Sequence, residues 1–189
     1  MSVSKAPKPV RPIANFFFAN ALRWEQAVSD LDERLGTRCF TSNPEAFTTT
    51  DYYEREMGKG VMRIFAAWWK LIDPVELIDI KQLAWEIENK YRNDKGGRIV
   101  NIDPGIISEG HLILATGKAA FHRPYLGKGV YADLTLIYHN GSYRPLNWTY
   151  PDYAGENIIS LMNRLRTDYL KDRRDMETLR NTEGKNEDY

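Results

Sequence analysis

The chain has 189 residues, enough for one domain with a sizeable hydrophobic core. Its 26 basic and 26 acidic residues cancel, which excludes the global basic excess used by proteins that hold nucleic acid through its phosphates. The single cysteine, Cys39, excludes an intramolecular disulfide and a Cys-rich zinc site, and no apolar stretch approaches the ~20 residues of a membrane span.

The composition therefore points to the cytoplasm, with neither a membrane nor nucleic acid as the expected partner. Residues 1–13 are rich in Pro and Lys and are expected to form a disordered tail; Pro7, Pro9 and Pro12 interleave the basic residues and no signal-type apolar core follows. Residues 13–22 read as a short buried strand, and Trp24, Ala27, Val28, Leu31 and Leu35 then recur at helical spacing before Gly36. Residues 38–41 suit a second strand that includes Cys39, a small side chain with nothing adjacent to favour a thiolate. Residues 47–57 and 61–71 flank Gly58-Lys59-Gly60 and are expected to pair as a hairpin, with Asp51, Glu54 and Glu56 near the turn. The second of these segments also fits one helical face.

Asp73-Pro74 with Glu76 has the form of a capping box, and Leu77, Ile80, Ala84, Ile87 and Tyr91 make one helical stripe behind it. Strands are expected over 98–102, 111–116 and 130–138, with Asn101, Asp103, Pro104 and Gly105 in a turn after the first of them. Asn140-Gly141 is a strong hairpin signal, returning into 142–146. A last helix carries Ile158, Leu161, Met162, Leu165 and Tyr169 on its apolar face. The order predicts an α+β domain over 14–170, with a ferredoxin-like split β-α-β core, further antiparallel strands and a C-terminal helix. Residues 171–189 are expected to be a fraying helix and a charged tail.

Four strings, DYYEREMG (51–58), RIVNIDPG (98–105), LATGKAAFHRPYLGKGVYADLTL (114–136) and WTYPDY (148–153), occur in one order. In that order they resemble a bacterial family of domains of unknown function numbered 4416, over about residues 16–170. The chain departs from the family pattern at Ala154-Gly155, where a Ser or similar helix cap is usual. The resemblance implies no mechanism, although some family members carry an inherited label of GTP-binding protein. A P-loop needs Gly, four residues, then Gly-Lys-Ser/Thr; Gly117-Lys118 is followed by Ala119 and Gly127-Lys128 by Gly129, so neither pair fits.

The densest chemistry is Lys118, His122, Arg123, Tyr125 and Lys128, in a Gly-punctuated loop suited to a phosphate or carboxylate. The alternative is a solvated loop of surface charges. Strict alternation puts Tyr131, Asp133, Thr135 and Ile137 on one strand face, and Ala132, Leu134, Leu136 and Tyr138 on a core face. Asp133 can then pair with Arg123 or His122, or hold a metal. Asp103 is a second candidate, as a general base or a metal ligand. Trp148, Tyr150, Asp152 and Tyr153 either stack on a ligand or staple the last helix. His111 and His139 have no ligand-spaced partner.

Three functions follow. The first is binding of a phosphorylated metabolite or nucleotide by Lys118, His122, Arg123, Tyr125 and Lys128. The second is a non-catalytic interaction module. The third is a hydrolase using His122 with Asp103 or Asp133. No cofactor and no metal is specified, whether the protein is an enzyme stays open, and a homodimer through uncovered strand edges also stays open.

Overall fold

The computed structural model describes residues 3–50 and 52–183. Chain order is β1 (Arg11–Phe18), α1 (Ala21–Leu35), β2 (Arg38–Thr41), β3 (Glu45–Ala46), α2 (Glu54–Met57) and β4 (Met62–Trp68). There follow α3 (Leu77–Lys90), β5 (Val100–Ile107), β6 (His111–Thr116), β7 (Tyr125–Gly127), β8 (Val130–His139), β9 (Ser142–Pro145) and α4 (Glu156–Glu183). Among the described residues the nine strands form one antiparallel sheet in the order β2-β4-β1-β5-β6-β8-β7, with β3 beside β4 and β9 beside β8. The mixed α+β class, the additional antiparallel strands and the C-terminal helix agree with the sequence. β1 and β2, joined by α1, run parallel with β4 between them; β4 and β5, joined through α3, run parallel with β1 between them.

The run of Phe16, Phe17 and Phe18 is explained by β1 lying at the centre of this sheet with both faces covered. Phe16 and Phe18 point into a core closed by α1 and α3, with Leu31, Trp68, Leu77 and Ile102. Ile13 belongs to a second core, closed by α4 through Met162, Leu165 and Tyr169. Each fully buried side chain of this size stabilises the fold by about 1.5–3 kcal/mol. The indole of the fully buried Trp68 is matched: its Nε1–H donates to Asp32 Oδ1 at 2.8 Å.

The helix ends follow their sequence signals. Asn20 caps α1 and Gly36, at φ 81°, ends it. Asp73 and Glu76 complete the reciprocal capping box on the 3₁₀ turn Pro74–Glu76 that leads into α3. Asn140 and Gly141 both take positive φ between β8 and β9. β1 starts at Arg11, inside the segment expected as a tail, and Val10 already bridges Ile72. α4 continues past residue 171. Asp172 pairs with the buried Arg11, Arg173 reaches Glu109 at 3.1 Å, and the Tyr169 hydroxyl donates to Pro9 O at 3.0 Å.

Three expectations are corrected. Residues 47–57 do not form the first strand of a hairpin. Phe47 and Tyr53 instead fold onto Phe17, at ring distances of 4.6 and 4.5 Å, and Glu54 and Glu56 fall on the single helical turn α2. Asp51 lies outside the described residues. Asn101, Asp103, Pro104 and Gly105 do not turn but lie within β5. The backbone groups of Ile102 point away from β1, so Pro104, two residues on, aims its nitrogen to the same side. β6 has not yet joined there, and no sheet hydrogen bond is lost. Gly105 admits the close approach of β6, since a Cβ there would lie 2.6 Å from Ile113 O. Finally, β8 does not alternate strictly. Leu112 pairs with Leu136 but Ile113 with Leu134, leaving Thr135 as an extra residue. Leu136 therefore joins Leu112 and Leu114 in the α4 core, on the face that Asp133 shares through its pairing with Leu114.

Candidate functional site

β5 and β6 separate partway along their length. They pair at Gly105–Leu114, Ile106–Ile113 and Ile107–Leu112, after which β6 follows β8 alone as far as Thr116. At Ile102 the unpaired edge of β5 is satisfied by side chains of α3. Glu88 Oε1 accepts the Ile102 N–H at 2.7 Å, and Lys81 Nζ donates to Ile102 O at 3.0 Å. Leu77, Lys81, Ala84 and Glu88 lie at helical spacing on one face of α3, so two charged residues stand in an otherwise apolar stripe. Trp85 fills the space under the end of β6; a Cβ on Gly117 would come within 2.8 Å of its ring.

The opening is a cavity of about 570 Å³. Its walls are flat and apolar: Phe17, Tyr52, Tyr53, Trp85 and Tyr150. Polar groups enter at a few points. Glu56 Oε2 pairs with Arg98 at 2.7 Å, and Arg98 Nη1 donates to Asn101 Oδ1 at 2.6 Å. That bond fixes the orientation of the amide, leaving Nδ2 as its free donor. Asn101 is 4% exposed and its Nδ2 has no partner among the described residues.

Asp103 stands two residues further along the same strand face. Lys81 Nζ is 3.7 Å from it, and among the described residues no protein group hydrogen-bonds it. Burial pushes the Tyr53 and Tyr153 hydroxyls and the Asp152 carboxyl up, and the Asp103 charge adds to each shift. Burial also pushes Glu88 up, against the opposing pull of Lys81. Asp152 accepts from Arg63 at 3.1 Å, and the Tyr153 hydroxyl accepts from Asn15 Nδ2 at 3.2 Å.

The residues singled out in the sequence divide into two groups. Lys118, Asp103 and Asp133 line the cavity. Lys118 is at the rim with Nζ 4.9 Å from the centre of the Tyr52 ring, and among the described residues it has no carboxylate partner. Asp133 is held by Arg123, whose Nε and Nη2 both lie 2.9 Å from Oδ2. Arg123 also donates to the Tyr150 hydroxyl at 2.7 Å and to Lys118 O at 3.1 Å, so it ties the rim loop to both β8 and the aromatic wall. The rest are turned elsewhere. His122 stacks on Trp148 at 5.1 Å, with its ring nitrogens buried and unpartnered among the described residues. Tyr125 packs on Tyr131 at 5.1 Å, and Lys128 pairs with Asp79 at 2.7 Å.

Sequence reasoning missed Lys81, Trp85, Glu88 and Arg98 as parts of the site. A lysine and a glutamate in register with Leu77 and Ala84 were the available signal. Cys39 is away from the cavity, and burial pushes its thiol up. Among the described residues no three His, Cys, Asp or Glu side chains gather as a metal site, and no helix is long and apolar enough to cross a membrane.

The family model described as Domain of unknown function (DUF4416) matches residues 8–169, a span that contains every residue lining the cavity, and the chain belongs to that family. No curated protein and no solved structure matches the chain.

Proposed function

We propose that this member of the DUF4416 family binds a small phosphorylated molecule, a metabolite or a nucleotide, in the cavity between β5 and β6. The observation that carries the reading is Lys118: it is the cation at the cavity rim without a carboxylate partner among the described residues, whereas Lys81 and Arg98 are already paired. A phosphate at Lys118 leaves the body of the ligand between the aromatic walls, in a volume within the usual range for small-molecule sites. Arg123 acts by positioning, since its guanidinium is engaged by Asp133 and Tyr150 and holds the backbone of Lys118 in place. No P-loop is involved; the phosphate is met by a side-chain ammonium rather than by a glycine-rich cradle.

A thermal-shift screen of nucleotides and phosphorylated metabolites tests this on wild type, Lys118→Ala, Arg123→Ala and Lys128→Ala. A ligand at ~100 times its dissociation constant adds about 2.7 kcal/mol to stability. The shift is expected to vanish in Lys118→Ala, to shrink in Arg123→Ala and to survive in Lys128→Ala, whose ammonium is tied to Asp79. No shift with any phosphorylated compound on well-folded wild type overturns the reading.

A further inference from the structure

We infer that the occupant is a nucleotide, and that Asn101 and Asp103 read the hydrogen-bonding edge of its base. This rests on the phosphate-binding reading above and names the ligand class of the same site. Asn101 and Asp103 alternate to one face of β5 and both line the cavity. The Asn101 amide cannot turn freely, because Arg98 holds its oxygen and Glu56 and Glu88 in turn hold Arg98. A buried, oriented N–H with no acceptor among the described residues is incomplete until a ligand supplies one.

Asp103 has the opposite need. Its carboxylate only accepts, and among the described residues no protein group hydrogen-bonds it. Lys81 already offsets its charge from 3.7 Å, so the missing partner is a neutral N–H or O–H rather than a second cation. The two positions together call for an acceptor beside a donor on one edge. A heterocyclic base offers a carbonyl or ring nitrogen next to an N–H, and its planar body suits walls made by Tyr52, Tyr53, Trp85 and Tyr150. Sugar hydroxyls can also serve as donor and acceptor, so the decisive comparison is a phosphorylated sugar with and without a base. Glu56 contacts no ligand in this scheme; it is a positioning residue that acts through Arg98.

The test is calorimetric titration of inorganic phosphate, ribose 5-phosphate and the common nucleoside 5′-monophosphates into wild type, Asp103→Asn and Glu56→Gln. At least one nucleotide is expected to bind wild type about tenfold or more tighter than ribose 5-phosphate. Asp103→Asn should reorder the preference among bases, because an amide donates where a carboxylate can only accept, and leave ribose 5-phosphate unchanged. Glu56→Gln should weaken the preferred nucleotide about threefold or more, again sparing ribose 5-phosphate. Glu56 is half exposed, so this variant carries the test if Asp103→Asn fails to fold. Ribose 5-phosphate binding wild type as tightly as every nucleotide overturns the base reading while phosphate binding stands. Equal loss of all ligands in Asp103→Asn also overturns it. If neither phosphate, sugar phosphate nor nucleotide binds wild type, both readings fall together.

Discussion

The two ends of β5 have the same strand on one side and different partners on the other. From Gly105 to Ile107 the strand is zipped to β6, and its outward face lies under α4 with Ile107, Leu112 and Met162. From Val100 to Pro104 the partner strand is gone, and a lysine and a glutamate from α3 take the place of its backbone. At the first end the neighbouring side chains are apolar and interchangeable in kind. At the second the bonds are single, directional and made by charged groups. The closed end supplies cohesion, and the open end uses part of that cohesion to keep a hole in the sheet.

The contrast is broken most directly at the closed end. Met162 is fully buried, and Met162→Ala is expected to destabilise the fold by about 2–5 kcal/mol while leaving ligand affinity unchanged. Denaturant unfolding with a parallel binding titration checks both halves of that statement. If affinity falls in step with stability, the two ends are not separable.

A smaller effect is expected at the open end. Lys81→Met preserves the length of the side chain but removes the donor to Ile102 O and the countercharge of Asp103. The cost should be about 1–3 kcal/mol. An unchanged unfolding midpoint would mean that the gap is held open by packing on Trp85 alone.

The smallest effect concerns pH and isolates Glu88. Burial favours its protonated form in the folded chain, above the ordinary value of 4.5. The folded chain therefore binds this proton more tightly than the unfolded chain does. Its contribution is fully present below pH 4.5 and is lost as pH rises through the higher folded value. Glu88→Gln keeps an acceptor for the Ile102 N–H and does not titrate. The stability difference between wild type and Glu88→Gln should thus move against wild type as pH rises from 4.5 towards neutrality, read from urea midpoints across that range. A flat difference would remove Glu88 from the electrostatics of the cavity.

What could be read from the sequence was whatever is decided locally. The capping box at Asp73 and Glu76, the Asn140-Gly141 turn, the Gly36 stop and the apolar face of α4 depend on neighbours within a few residues. The failures share the opposite property. Pro104 and Gly105 look like turn residues until a missing strand explains the proline and a close one explains the glycine. Phe47 and Tyr53 look like strand residues until Phe17 is found beneath them. The site was legible to the same degree. Lys118, Asp103 and Asp133 could be named because polar groups stand out in glycine-rich or strand segments. Lys81 and Glu88 were hidden because each looks like an ordinary surface charge until the helix is docked.

The contacts of Arg11 with Asp172, of Pro9 with Tyr169 and of Lys8 and Arg173 with Glu109 gather residues 8–11 and 169–173 at one place. Two segments that lie this close can be joined there and the chain cut elsewhere. A circular permutant linking these two segments, and opened at the exposed Asn140-Gly141 turn, would keep β1 against α4 and leave β5, β6 and α3 on one continuous stretch. Connectivity and architecture are to that extent independent in this protein. In such a permutant the order in which the parts are synthesised would change while the walls of the cavity stay in place.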